Sequence, residues 1–208
     1  MITGALTRRG MFFYAAPAFA LALPTIPVYL HLPALYSTEL GLVATGLLLL
    51  SARLFDTIAD PFVGLLSDRT RSIFGRRKPW IAGGAIVAGF GLFYLLNPPN
   101  RPSASYLLAN SLLLYAGWTM VAVPYLAWGA ELSNDYNNRT EVVAWREGAG
   151  LVGIVTAGII VAAAVHFGLP EREAVGGLAL CAIAVGAATI PVLLWALPDP
   201  PTSAFGNK

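Results

Sequence analysis

Six stretches of roughly 20 predominantly apolar residues, the length a helix needs to cross a bilayer core, follow one another along this chain. They run approximately from Met11 to Tyr36, Leu40 to Leu66, Pro79 to Leu96, Ser103 to Gly129, Val142 to Phe167 and Ala174 to Leu197. A lipid interior leaves no water to satisfy backbone N–H and C=O groups, so segments of this kind must close their hydrogen bonds internally, as helices do. The composition agrees: 57% of the 208 residues are hydrophobic, only 12% are charged, and the mean hydropathy is +0.67. The connections are short and polar or carry proline, as in NPPNRPS from Asn97 to Ser103, and leave no room for a soluble domain. Residues 1–197 therefore read as one six-helix bundle and 198–208, PDPPTSAFGNK, as the start of a cytoplasmic linker or tail.

Charge gives the orientation. Arg8, Arg9, Arg69, Arg71, Arg76, Arg77, Lys78, Arg139 and Lys208 fall on one side of the expected bundle, against Arg101 and Arg172 on the other. Basic residues in short loops stay cytoplasmic, so both termini are expected in the cytoplasm of a multi-pass plasma or inner membrane protein. The same basic loops could contact anionic lipid. A net charge of +2 gives no ground for a nucleic-acid partner. The first apolar run continues for a full span without a small-residue cleavage pattern, so no removable signal peptide is expected. Cys181 is the one cysteine; it excludes an intramolecular disulfide and is expected to pack among its apolar neighbours.

Two features depart from plain spanning helices. The first segment holds Pro17, Pro24, Pro27 and Pro33, which must interrupt regular hydrogen bonding in several places, either to line a cavity or to bend the helix. The fifth and sixth segments carry repeated small residues, including Gly148, Gly150, Gly153, Gly176, Gly177 and Gly186, expected to serve close helix packing.

The chemistry concentrates in the second segment, SARLFDTIADPFVGLLSD. Arg53, Asp56 and Asp60 stand at i, i+3 and i+7 in an otherwise apolar run and so share one helical stripe. Each ionised group at the bilayer centre costs about 2.5–3.5 kcal/mol on insertion scales, which demands partners or a hydrated cavity. Arg53 can neutralise one aspartate, leaving the other for a monovalent cation or a proton; an ion-pair network of purely structural purpose is the alternative. Two carboxylates one turn apart suit a hard cation such as Na⁺ through their oxygens, or a shared proton, and nothing in the spacing separates the two. Arg146 stands beside Glu147, as an ion pair or a solute contact. Glu131, Asp135, Arg139 and Glu141 lie about the loop after the fourth segment, placed for loop salt bridges. Tyr125 and Trp128 are candidates to stack on a sugar or to anchor at the interface. His31 and His166 are single and separated, with no role assigned.

From Arg53 to Trp80 the chain reads RLFDTIADPFVGLLSDRTRSIFGRRKPW. This resembles the signature loop between the second and third helices of the major facilitator superfamily, in the longer form of the glycoside-pentoside-hexuronide cation symporters, the melibiose permease-like carriers. WTMVAVPYLAWGAELSNDYNNRTEVVAWREGAG, from Trp118 to Gly150, resembles the same family, so the likeness covers almost the whole chain. It implies an all-α, six-transmembrane-helix bundle forming the N-terminal half of a major facilitator fold, with no cofactor and no enzymatic activity. It also implies that Asp56, Asp60 and Thr119 bind the coupling ion, Na⁺ or H⁺, with Asp56 and Asp60 as the metal ligands if it is Na⁺. Arg53 and Arg146 correspond to the family's second-helix and substrate-lining arginines, and Tyr125 and Trp128 fall in the substrate or charge network. Gly64, Asp68, Arg69, Gly75, Arg76 and Arg77 form the conformational loop motif. The family's sugar-binding aspartates of the first and fourth helices have no counterpart: no acid precedes Glu39, and Ala122 stands at the fourth-helix position.

The expected function is cation-coupled symport of a small solute, with a sugar or glycoside, an acid and a lipid-like molecule all open. The expected partners are membrane lipid, that solute and a C-terminal six-helix half in the same or a separate chain. Two alternatives stand beside it: an inactive or scaffolding half-transporter, and a Mg²⁺-dependent intramembrane transferase using the paired aspartates.

Overall fold

The computed structural model describes residues 6–133 and 135–198, with the side chains of Glu39 and Leu42 left aside; most of the expected tail, 199–208, lies outside the described residues. All regular secondary structure among the described residues is helical. The first pass is built from α1 (Arg8–Ala22), a π-helical turn (Pro27–His31) and α2 (Leu32–Leu40). Five further helices follow: α3 (Leu42–Arg69), α4 (Lys78–Leu96), α5 (Ala104–Glu131), α6 (Tyr136–His166) and α7 (Glu171–Ala196). Local chemistry sets their ends. The hydroxyl of Thr7 accepts from the Gly10 amide, that of Ser103 from Tyr106, and the Asp135 carboxylate from Asn138, each filling a donor that the first turn leaves open. Pro79 sits in the first turn of α4, where its missing N–H costs nothing.

The expected breaks in the first pass are present, with an exception. Pro17 is accommodated inside α1, whereas the chain turns at Leu23–Pro24 and widens into the π turn that Pro27 opens, closed by Leu32 N–H donating to Pro27 C=O. Pro24, Pro27 and Pro33 each withhold a backbone donor within ten residues, and a wider turn is one way to re-pair what remains.

Among the described residues five helical stretches are long and apolar enough to cross a membrane: Arg8–Thr38, Lys78–Leu96, Ala104–Glu131, Tyr136–His166 and Glu171–Ala196. The expected count of six is thus met by apolarity in five. α3 has the length, 28 residues or about 42 Å, but carries Arg53, Asp56 and Asp60 within its middle.

Polar contacts mark two opposite ends of the bundle. At one, Leu6 meets Asn138, Asp68 meets Arg77, and Trp128 Nε1 donates to Pro198 C=O at 3.2 Å. At the other, His31 meets Glu171 at 2.5 Å, Tyr36 donates to Leu95 C=O at 3.0 Å, and Arg172 donates to Pro98 C=O. The first pass, from α1 through α2, and each of α3 to α7 run from one end to the other, so consecutive passes alternate in direction and α3 and α5 run parallel.

Two apolar layers fill the interior. One, towards the His31 end, joins Leu32, Tyr36, Leu95, Leu107 and Leu178; the other, towards the Asp68 end, joins Met11, Tyr14, Ile81, Trp128 and Leu193. α4 lies against α5, α1 against α6 and α7, and α3 against α5. The tightest crossing is α4 on α5, where a Cβ placed on Gly117 would sit 2.2 Å from Ala88 N and one on Gly91 2.5 Å from Leu114 N. Of the glycines expected to pack closely, Gly153 meets the Phe19 carbonyl and Gly176 meets Asn97, while Gly148, Gly150 and Gly177 face open space. Cys181, expected to be packed, is exposed on α7, because the face of that helix turned to its neighbours is the one bearing Leu178, Ala179 and Ala182.

Candidate functional site

The acidic stripe lies at the middle of its helix: Asp56 is the fifteenth of the 28 residues of α3. Opposite it Thr119 is the sixteenth of the 28 residues of α5, buried, so the parallel pair brings the three residues to one depth. The Thr119 hydroxyl lies 2.7 Å from Asp56 Oδ1 and 3.0 Å from Asp60 Oδ1. A hydroxyl has one proton and donates to one carboxylate at a time. The other oxygen pair is a bare contact between a lone pair and a carboxylate unless a proton on that carboxyl, or a cation, stands between them. The three oxygens thus form a converging acceptor set that calls for one more positive charge.

Arg53 supplies part of the compensation. Its Nη1 is 3.7 Å from Asp56 Oδ2, longer than the 2.7–2.9 Å typical of a charge-assisted hydrogen bond, and among the described residues it is the cation recorded against the stripe. Two carboxylates against one guanidinium leave a formal charge of −1 at mid-helix. The guanidinium is flanked by two aromatic rings, with Cζ 4.5 Å from the Tyr29 centroid and 5.0 Å from the Tyr115 centroid. Tyr115 precedes Thr119 by one turn on α5, and Tyr29 belongs to the π turn. Neither tyrosine stands out in the sequence, because single aromatics are ordinary in apolar segments.

A second charged cluster closes the end where α3, α4 and α5 meet. Arg77, nearly fully buried, donates to Glu131 Oε1 at 2.6 Å and Oε2 at 2.7 Å and reaches Asp68 at 3.4 Å. Arg76 donates to both Glu131 oxygens at 2.9 and 3.1 Å and stands 4.0 Å from Asp68. Gly75 turns the chain into this cluster at φ +104°, a left-handed conformation that favours glycine. A Cβ added at Gly64 would come within 3.5 Å of Val123 on α5, and Arg69 is exposed. The loop residues singled out in the sequence are thus gathered at one end, and Glu131, expected in a loop salt bridge, is their anchor. Asp135 caps α6, and Arg139 donates to the Ser133 carbonyl at 3.2 Å.

Arg146 is bonded to Glu147, its neighbour in sequence, on the α6 face towards α1. Tyr125 and Trp128 are enclosed in the bundle. Tyr125 and Tyr14 each donate to the other's carbonyl with rings 4.7 Å apart, and Gly129 makes room for the Tyr14 hydroxyl. His31, without a role in the sequence reading, holds the first pass to the start of α7 through Glu171; a partner 140 residues away leaves no local signal.

The chain resembles known proteins along most of its length. The family model described as MFS/sugar transport protein matches residues 11–197. The "Uncharacterized symporter sll1374" of Synechocystis sp. is 34% identical over 163 residues, 72% of this chain and 29% of that protein. The "Inner membrane symporter YicJ" of Escherichia coli is 34% identical over 124 residues, 57% of this chain and 27% of that protein. The human "Sodium-dependent lysophosphatidylcholine symporter 1" is 30% identical over 126 residues, 57% of this chain and 22% of that protein. The chain therefore spans less than a third of the length of these relatives. With its family match running through all the described helices and its long apolar spans, this is an integral membrane protein that belongs to the MFS/sugar transport protein family.

Proposed function

We propose that the chain is the N-terminal six-helix half of a cation-coupled symporter, with α3 as the sixth crossing and both termini cytoplasmic. The observation that carries this reading is the convergence of Asp56, Asp60 and Thr119 at mid-helix with one proton and one guanidinium between them. Na⁺ or H⁺ supplies the missing charge. An occupied site relieves repulsion between the carboxylates, favouring the conformation in which they converge, and a solute that binds the same conformation is carried with the ion. The solute is a sugar or glycoside, as the family's description suggests, and Arg146, beside the α1–α6 contact, is the group placed to meet it. The companion is a second six-helix half, in the same or a separate polypeptide. The unpartnered apolar residues Leu54, Ile58 and Phe62 on α3 and Leu151, Val155 and Ile159 on α6 are the flanks it would cover.

An intramembrane transferase fits less well. Among the described residues no group of three or more His, Cys, Asp or Glu is assembled, and Asp68, the nearest further acid on α3, is committed to the arginine cluster. Uptake of radiolabelled glycosides by proteoliposomes holding both halves is expected to follow an imposed Na⁺ or H⁺ gradient and to be lost in Asp56→Ala and Asp60→Ala. Uptake unaffected by either change would overturn the assignment.

A further inference from the structure

The first pass does not run straight past the acidic stripe. It is interrupted by the π turn Pro27–His31, and the residue at the centre of that turn, Tyr29, lays its ring over the guanidinium of Arg53. Single π turns inside membrane or soluble helices are uncommon, because the wider ring packs poorly, and they recur where a side chain must be re-aimed. From α5 Tyr115, buried, presents a second ring to the same guanidinium. An arginine within about 6 Å of an aromatic centroid is attracted to the ring face, and the attraction grows as water is removed. Here it competes with the carboxylate one turn away. The outcome of that competition is visible in the 3.7 Å separation between Arg53 and Asp56, beyond direct hydrogen bonding.

We infer that Tyr29 and Tyr115 are positioning residues that hold Arg53 back from the acidic pair and so set how tightly Asp56 and Asp60 take their cation. Without the rings the guanidinium is free to bond both carboxylates, where it occupies the place of the cation and weakens the field that attracts it. The groups facing the pair on the elements packed around it are Arg53 on its own helix, Thr119 and Tyr115 on α5, and Tyr29 on the first pass. Because Tyr29 belongs to the π turn, movement of that turn transmits to the cation site through Arg53, and cation occupancy transmits back to the first pass by the same contact. The inference rests on the cation-site reading given under Proposed function.

The test needs neither a known solute nor the companion half. A hydrophobic carbodiimide labels protonated carboxyls buried in membrane, and mass spectrometry of the 208-residue chain in lipid nanodiscs reads the label at Asp56 and Asp60 separately. The labelling rate at fixed pH reports proton occupancy, and the NaCl concentration that halves it, against choline chloride at constant ionic strength, reports Na⁺ occupancy. Tyr29 is more than half exposed, so its replacement leaves the core intact. In Tyr29→Leu labelling slows, or the protecting NaCl concentration rises, by roughly 3- to 30-fold, the range of one desolvated cation–ring contact. Tyr29→Phe, which keeps the ring, stays within about twofold of the parent, and Tyr115→Leu moves in the same direction as Tyr29→Leu. Tyr29→Leu indistinguishable from Tyr29→Phe overturns the ring-held arginine while leaving the cation site standing. A parent protein whose labelling responds to neither pH nor NaCl overturns the cation site and the ring-held arginine together.

Discussion

Two clusters on α3 use the same residue types to opposite effect. At mid-helix the Asp56 and Asp60 pair has a single arginine, 3.7 Å from Asp56, whereas at the helix end Asp68 and Glu131 face Arg76 and Arg77 at 2.6–4.0 Å. The end cluster balances two charges with two and aligns the Glu131 carboxylate with both guanidinium groups, so its formal charges are matched within the protein. The middle cluster is one positive charge short in the part of the membrane where an uncompensated charge costs most. On the proposed reading a mobile cation, Na⁺ or H⁺, fills that deficit. A proposed ion site at mid-helix thus stands against a clasp that ties α3, α4 and α5 together.

The largest expected effect breaks the first half of that comparison. Asp60→Asn removes the charge with no arginine of its own, and cation affinity falls by about 3 kcal/mol, roughly 100-fold, as read by NaCl protection against carbodiimide at Asp56. Folding is expected to be intact, since an unpaired charge has been removed rather than created. Next comes Arg77→Ala, which strips a nearly buried cation from Glu131. A fully buried pair broken this way costs about 3–5 kcal/mol, but the Glu131 side chain is 39% exposed, so about 2 kcal/mol is expected. That loss is read as a lower thermal denaturation midpoint by tryptophan fluorescence, with NaCl protection at Asp56 and Asp60 unchanged.

Smaller changes sharpen the contrast. Thr119→Val keeps the volume and deletes the hydroxyl shared by the two carboxylates, weakening cation affinity by about 1 kcal/mol, or about fivefold, with recovery in Thr119→Ser. Arg76→Ala is the mildest: Arg76 shares both carboxylates with Arg77 but is more exposed and reaches them at longer distances, so about 0.5–1 kcal/mol of stability is expected, shrinking as salt screens the pair. If Arg76→Ala lowers cation affinity as much as Thr119→Val does, the two clusters are not independent and the contrast fails.

How far these features are legible in the sequence follows from their physics. Charged residues in an apolar run are conspicuous because they are costly, so Arg53, Asp56 and Asp60 mark a site by their positions in the chain alone. Thr119 carries no such signal; a threonine in a membrane helix is unremarkable, and only the resemblance to a family singles it out. The α4–α5 crossing is hidden, because Gly91 and Gly117 sit in helices that are apolar all round, whereas the conspicuous runs of small residues include Gly148 and Gly177, which touch nothing. Tyr29 is concealed by the π turn: adding a residue to one turn shifts every later side chain off the regular helical register, so a count along an ideal helix aims it wrongly.

The central claim is that Asp56 and Asp60, bridged by Thr119, hold a coupling cation at the middle of the bundle. Infrared difference spectroscopy of the chain in nanodiscs, comparing carboxyl and carboxylate bands before and after a step in Na⁺ or in pH, tests it most directly. A cation-induced change in those bands is expected that disappears in Asp56→Asn and Asp60→Asn and survives in Arg77→Ala. A band change that persists in both aspartate variants would place the cation elsewhere and contradict it.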